Sequence, residues 1–195
     1  ADHDSKGSMI RWAPASCPGG FSNRFLLGDA NSVRVFDLRD EKWCAHINNG
    51  SGGAGKIVSA DFGSTESEVL LFSDFNARVT VWSLVTGRSI EVKDPKFSLS
   101  KGYEFRPKSG LLALLARPGA QDVITLHAPN SYLVVKTVTL PTADAQGLKW
   151  SPDGRWLAVW DAPSTGYRVC IFTADGHLYR EYSEEADRKS TRLNS

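Results

Sequence analysis

The sequence has no apolar run near the roughly 20 residues that a helix needs to cross a bilayer, so no helical membrane span is predicted and no membrane partner is expected. It has little cysteine. Cys17, Cys44 and Cys170 are an odd and widely spaced set, which argues against a disulfide framework and fits a reducing compartment. It has no excess of charge. Lys and Arg number 23 against 22 Asp and Glu, for a formal net charge of +1, so no bulk attraction to nucleic acid or to an anionic membrane surface is implied. No charged-then-apolar leader opens the chain, so secretion is not expected. Helical periodicity is nearly absent: no stretch keeps apolar residues at i, i+3, i+4 and i+7 over three turns. G-x-S-x-G and H-E-x-x-H are both missing, and His127 and His177 each stand without a nucleophile at a recognisable spacing. No catalytic residue, cofactor site, metal site or small-molecule substrate is therefore assigned.

What the chain does have is turn chemistry at regular intervals between short apolar runs. Between Leu148 and Ser183 the runs are Leu148–Trp150, Trp156–Trp160, Tyr167–Phe172 and His177–Tyr182. They are separated by Ser151-Pro152-Asp153-Gly154, Pro163-Ser164-Thr165-Gly166 and Asp175-Gly176. Pro pre-sets the first turn torsion and Gly accepts positive φ, so each break is a turn for a physical reason. The runs are too short for helices and rich in Val, Ile, Trp and Tyr, which suits strands. They predict a four-stranded antiparallel meander. Such a sheet cannot bury both faces alone, so it needs neighbours of its own kind.

The rest of the chain supplies them. Third-strand runs align at Phe36, Trp82, Leu126 and Phe172, with spacings of 46, 44 and 46. First-strand runs align at Trp12, Phe62, Phe105 and Trp150, with spacings of 50, 43 and 45. A period near 40–45 residues with four strands per period marks WD-type propeller blades. The predicted fold is all-β, a partial WD-repeat β-propeller of about four blades forming an open arc of a larger one. The segments read as a disordered start at 1–7, then blades at 8–48, 49–92, 93–140 and 141–186. In ARVTVWSL, alternation places Val79 and Val81 on one face with Thr80 and Trp82 on the other. The structural blade positions are Trp12, Phe36, Phe62, Asp74, Trp82, Trp150, Asp153, Gly154 and Phe172. Blade tryptophans are expected to pack between sheets, with Trp156 and Trp160 the better candidates for a surface anchor.

Several motifs resolve to plainer readings. Gly50–Lys56 satisfies G-x-x-x-x-G-K. A phosphate loop needs Ser or Thr next and then a helix, whereas Ile57 and a strand pattern follow, so an inter-blade loop is predicted. Asn49-Gly50-Ser51 matches a glycosylation sequon by accident of composition. Cys44 and His46 share a strand face without further ligands nearby, which predicts a buried thiol beside a strand histidine rather than a zinc site. The last nine residues, Asp187–Ser195, read DRKSTRLNS, like the in-frame translation of a sequencing-library adapter. On that reading natural sequence stops near Ala186; the alternative is a genuine polar tail. With Arg188, Lys189 and Arg192 and one large apolar residue, Leu193, the tail is predicted to be disordered.

Trp82-Ser83-Leu84, the Trp150–Gly154 turn and Leu157–Asp161 resemble WD repeats. The combination of Trp43-Cys44 with Gly50-Ser51 following, VTVWSL (Val79–Leu84), LKWSPDGRWLAVWD (Leu148–Asp161) and FTADGHLYREYS (Phe172–Ser183) resembles the family of WD-repeat protein eight. That is the centrosomal WD-repeat protein encoded antisense to the p73 gene, with fungal relatives at the spindle pole. The resemblance implies a scaffold without catalysis that helps tether microtubule minus ends. It implies binding to a coiled-coil microtubule-anchoring protein and, as in yeast, to a minus-end-directed kinesin. It implies a place in the cytoplasm at the cytoskeleton, in the microtubule-organising centre or spindle pole. Generic WD blades carry a His before the first strand that is missing here, while Ser73, Asp74 and Trp82 retain part of the associated hydrogen-bond set in the second blade. No partner-binding residue carries over. The alternative is a WD propeller in another process, such as a translation-initiation factor or a ubiquitin-ligase substrate adaptor.

Overall fold

The structure is a computed structural model that describes residues 9–15, 20–48, 55–74 and 78–183. The strands are β1 (Met9–Trp12), β2 (Arg24–Gly28), β3 (Ser32–Asp37), β4 (Asp40–Asn48), β5 (Ile57–Phe62), β6 (Glu68–Ser73), β7 (Arg78–Ser83) and β8 (Ser89–Val92). They continue with β9 (Tyr103–Phe105), β10 (Leu112–Ala116), β11 (Val123–His127), β12 (Val134–Thr139), β13 (Ala145–Trp150), β14 (Trp156–Asp161), β15 (Arg168–Thr173) and β16 (Leu178–Ser183). They form four sheets of four strands, each an antiparallel meander in chain order. The helical content among the described residues is one 3-10 turn at Pro163–Thr165, the second of the turns read from sequence. The predicted disordered start at 1–7, most of the Gly50–Lys56 loop, the sequon and the tail at 187–195 lie outside the described residues. Lys56 is followed by strand β5, not by a helix.

The chain divides into two compact units, with the boundary between Ser100 and Lys101. In the first unit, Leu26, Val33 and Val35 of the β1–β4 sheet meet Ile57, Ala60, Phe62, Val69 and Leu71 of the β5–β8 sheet. In the second, Leu112, Leu114, Leu115 and Ile124 are buried with Leu148, Leu157, Val159 and Phe172. Each such side chain contributes about 1.5–3 kcal/mol relative to exposure. Burial follows position in the meander. The second strands β6 and β10 are buried at every residue, so their continuous apolar runs are those of strands covered on both faces. The fourth strands are edges, and β16 is exposed along nearly all its length.

Register gives the repeat its meaning. Cross-strand rows run Trp12–Phe25–Phe36, Phe62–Val69–Trp82, Phe105–Leu112–His127 and Trp150–Leu157–Phe172. The third row corrects the alignment made from sequence: His127, not Leu126, occupies the position of Phe36, Trp82 and Phe172. The spacings become 46, 45 and 45. A shift of one residue moves a side chain to the opposite face. Leu126 and His127 are both buried, at 4% and 2% exposure, so alternation along β11 does not separate them.

The second and fourth rows face the preceding sheet of the same unit. Phe62 and Val69 pack on the first sheet, with Trp82 partly buried against that core. Trp150 and Phe172 are buried at 4% and 1% exposure. Trp12 is 59% exposed, and its row is uncovered among the described residues of the first unit. For Trp12, packing between sheets is therefore not observed. Its ring instead rests on Phe25 at 5.5 Å, and Phe25 stacks on Phe36 at 5.2 Å.

Candidate protein-interaction surface

Ionic staples fix each pair of sheets. In the first unit, the buried Asp37 at the end of β3 accepts from Arg24 Nε at 2.8 Å and from Arg39 Nη2 at 2.6 Å. Arg39 also donates to Glu66 Oε1 at 2.7 Å, and Arg24 Nη1 donates to the Glu66 carbonyl at 3.1 Å, which reaches the loop between β5 and β6. Arg39 and then Arg24 hold the Asp37 carboxyl far below the usual range against the opposing effect of burial. Arg24 also lies over the Trp43 ring, 4.4 Å from its centroid. In the second unit, Asp122 accepts from Arg117 Nε at 2.5 Å and from the backbone N–H of Ala145, on β13, at 2.8 Å. Arg117 extends to Asp144 at 3.0 Å. Sequence reasoning singled out none of the charged residues in these staples. The partners lie up to 42 positions apart, and an isolated acidic residue carries no signal of a distant guanidinium.

The sequence-predicted positions fall as follows. Phe36 is half-buried on the open face of the first sheet, and Phe62 is buried. Asp74 is exposed and accepts from the Lys56 N–H at 2.7 Å. The buried Ser73 hydroxyl has no partner among the described residues, so the hydrogen-bond set suggested for Ser73, Asp74 and Trp82 is not assembled there. Asp153 is exposed and organises its turn, accepting from Ser151 Oγ at 2.6 Å and from the Arg155 N–H at 3.0 Å. Gly154 is buried, and its carbonyl accepts from Arg106 Nε at 2.7 Å, tying the turn to the neighbouring sheet. Arg106 also sits over Trp150, 5.6 Å from the ring centroid. The backbone N–H of Trp150 donates to Glu104 Oε2 at 2.5 Å.

Cys44 is exposed, which overturns the buried-thiol reading. It pairs with Phe36, and its strand is the sheet's outer edge. Cys170 is buried, and burial first, then the Glu181 charge, pushes its thiol up to about 11. Such a thiol stays protonated near neutral pH and is a poor nucleophile. Among the described residues, no three His, Cys, Asp or Glu side chains cluster as metal ligands would.

His127 serves the fold. Its Nδ1 lies 2.9 Å from the Tyr132 carbonyl and its Nε2 2.8 Å from Thr125 Oγ1. A carbonyl only accepts, so Nδ1 carries the proton and Nε2 accepts from the hydroxyl. Burial pushes the imidazole below its ordinary value of 6.5, outweighing the Tyr132 hydrogen bond. The unfolded chain thus takes up this proton first on acidification. The stability involved is complete above about pH 6.5 and is lost as pH falls from there through the lower folded value. The melting temperature is expected to fall between about pH 7 and about pH 5. His127→Phe, which installs the ring found at Phe36 and Phe172, is expected to remove that part of the slope; an unchanged slope in the variant would show a solvated imidazole.

The far face of the β13–β16 sheet is the aromatic surface. Trp156 and Tyr179 pack at 4.6 Å between centroids. Trp160 is 39% exposed, and a Cβ at Gly147 would lie 2.2 Å from its ring, so the indole rests directly on backbone that only glycine leaves open. Trp156, Ala158, Ile171 and Tyr182 line a groove of about 480 Å³ rimmed by Lys149 and Arg180. Amphipathic rings in such a patch bury large apolar area at low rotamer cost, which suits contact with another protein surface.

No family model matches the chain. An uncharacterized WD repeat-containing protein of Schizosaccharomyces pombe is 34% identical over 162 residues, 82% of this chain and 32% of that protein. The mouse WD repeat-containing protein WRAP73 is 29% identical over 150 residues, 77% of this chain and 31% of that protein. The chain therefore spans about a third of the length of these relatives. Among solved structures, hydrazine synthase of Kuenenia stuttgartiensis superposes with a TM-score of 0.62 at 14% identity, covering 89% of this chain and 48% of that one. The β-propeller domain of Cps50 (Swd1) from Myceliophthora thermophila superposes with a TM-score of 0.56 at 12% identity, covering 92% and 60%. At such identities these two likenesses speak to the fold alone.

Proposed function

The chain belongs to the WD-repeat family of these two relatives, and from that premise we propose that it is a non-enzymatic scaffold of a spindle-pole or centrosome complex. A WD-repeat β-propeller is a protein-interaction module, and its partners are proteins. The finer reading has it anchor microtubule minus ends in the cytoplasm at the microtubule-organising centre. There it binds a coiled-coil anchoring protein and a minus-end-directed kinesin. One observation carries this reading: the blade motifs that resemble the spindle-pole family lie in a chain aligned to two WD-repeat relatives over 77% and 82% of its length. The exposed rings of Trp160 and Tyr179 support contact with protein over contact with a small molecule.

Proximity labelling in dividing cells with the intact protein tests it. The expected catch is a coiled-coil anchoring protein together with spindle-pole components. A catch of initiation factors or ligase subunits, or one without any spindle-pole protein, would overturn the assignment.

A further inference from the structure

A second groove in the unit after Ser100 lies where the outer strand of one sheet meets the last hairpin of the next. Val138 from β12 and Leu140 just beyond it, Phe172 from β15 and Leu178 from β16 line a cavity of about 440 Å³. Leu140 and Phe172 are buried, while Leu178 is 49% exposed and opens the floor to solvent. The Asp175-Gly176 turn forms one wall. Gly176 has φ +83, and a Cβ there would lie 2.6 Å from Val138 Cγ2, so glycine is what lets the turn approach the strand.

Two cations bridge the sheets beside this floor. The Lys136 ammonium donates to the Asp175 carbonyl at 2.5 Å. Arg168 donates to the Pro141 carbonyl. Their charges are met differently. Arg168 has Glu181 Oε1 at 3.3 Å. The Asp175 carboxylate is engaged by Thr173 Oγ1 at 2.5 Å and His177 Nδ1 at 2.7 Å. Lys136 has no carboxylate partner among the described residues. The strand that carries it is a sheet edge; Leu133 just before it and Val134 and Val135 on it are 70%, 54% and 59% exposed. Edge strands that present apolar residues are templates for an added extended segment, and alternate side chains of that segment then fill adjacent pockets.

We infer that this groove takes an extended peptide segment of a protein partner, with apolar side chains on Val138, Leu140 and Leu178 and an acidic side chain against Lys136. The class of partner rests on the scaffold reading above; the site and the peptide's chemistry rest on the groove. A carboxylate gains a partner in the Lys136 ammonium, and a basic segment is repelled by Lys136 and Arg168, so charge selects between them.

The test is fluorescence anisotropy with the whole 195-residue chain and two labelled decapeptides, one alternating leucine with aspartate and one alternating leucine with lysine. Saturable binding of the acidic peptide alone is expected. Lys136→Glu and Leu178→Asp are each expected to weaken it by about tenfold or more at an unchanged melting temperature. Thr139→Trp, at an exposed groove residue, blocks the site and keeps the test valid if either variant unfolds. No saturable binding, equal binding of both peptides, or wild-type affinity in folded variants would overturn the inference. If proximity labelling recovers spindle-pole proteins while the acidic peptide fails, the groove falls and the scaffold stands; binding without such a catch does the reverse.

Discussion

Trp150→Ala is expected to destabilise the chain by about 3–5 kcal/mol, the range for truncating a buried aromatic. Trp12→Ala, at the same position of the repeat, is expected to cost less than about 1 kcal/mol. The two rings begin equivalent cross-strand rows, but Trp150 is 4% exposed and Trp12 is 59% exposed. Trp150 meets the preceding sheet, where Arg106 covers its ring and Glu104 takes its backbone N–H. Trp12 rests on Phe25 and is 59% exposed. Midpoints of urea unfolding for the two variants measure the difference. Similar losses would show that the open row of the first sheet is covered in solution.

The second large effect is expected at Asp122. Its side chain is 1% exposed, and it serves Arg117 and the Ala145 N–H together. Asp122→Ala removes the carboxylate that accepts from the Ala145 N–H and removes a charge-assisted pair. Each such loss costs on the order of 1–3 kcal/mol, for a sum of about 3 kcal/mol. Arg117→Met is expected to cost about 1 kcal/mol, because Arg117 is 36% exposed and Asp122 keeps the Ala145 N–H. Thermal unfolding of both variants separates them; equal losses would mean that the ion pair, not the backbone bond across the sheets, does the holding.

These effects mark what the sequence makes legible. The β13–β16 meander reads correctly because each strand is bounded by residues with their own torsional demands, from the Ser151–Gly154 turn to Asp175-Gly176. Those preferences are local and survive without tertiary context. The slip between Leu126 and His127 arises where context decides: both faces of β11 are covered, a bulge falls between these residues, and a histidine stands where other blades have an aromatic ring. Exposure of Trp12 and Cys44 depends on whether another sheet covers their faces, which neither residue encodes. The staples at Asp37 and Asp122 join segments tens of residues apart. The groove between β12 and β16 exists only when two sheets meet, so Lys136 reads in sequence as one more strand-edge lysine.

Nuclear Overhauser contacts across β9–β12 test the blade repeat most directly. The row Phe105–Leu112–His127 predicts cross-strand contacts between Leu112 and His127 and between Phe105 and Leu112, in register with Trp150–Leu157–Phe172. Contacts that pair Leu112 with Leu126 instead, or the absence of a four-stranded network, would contradict it.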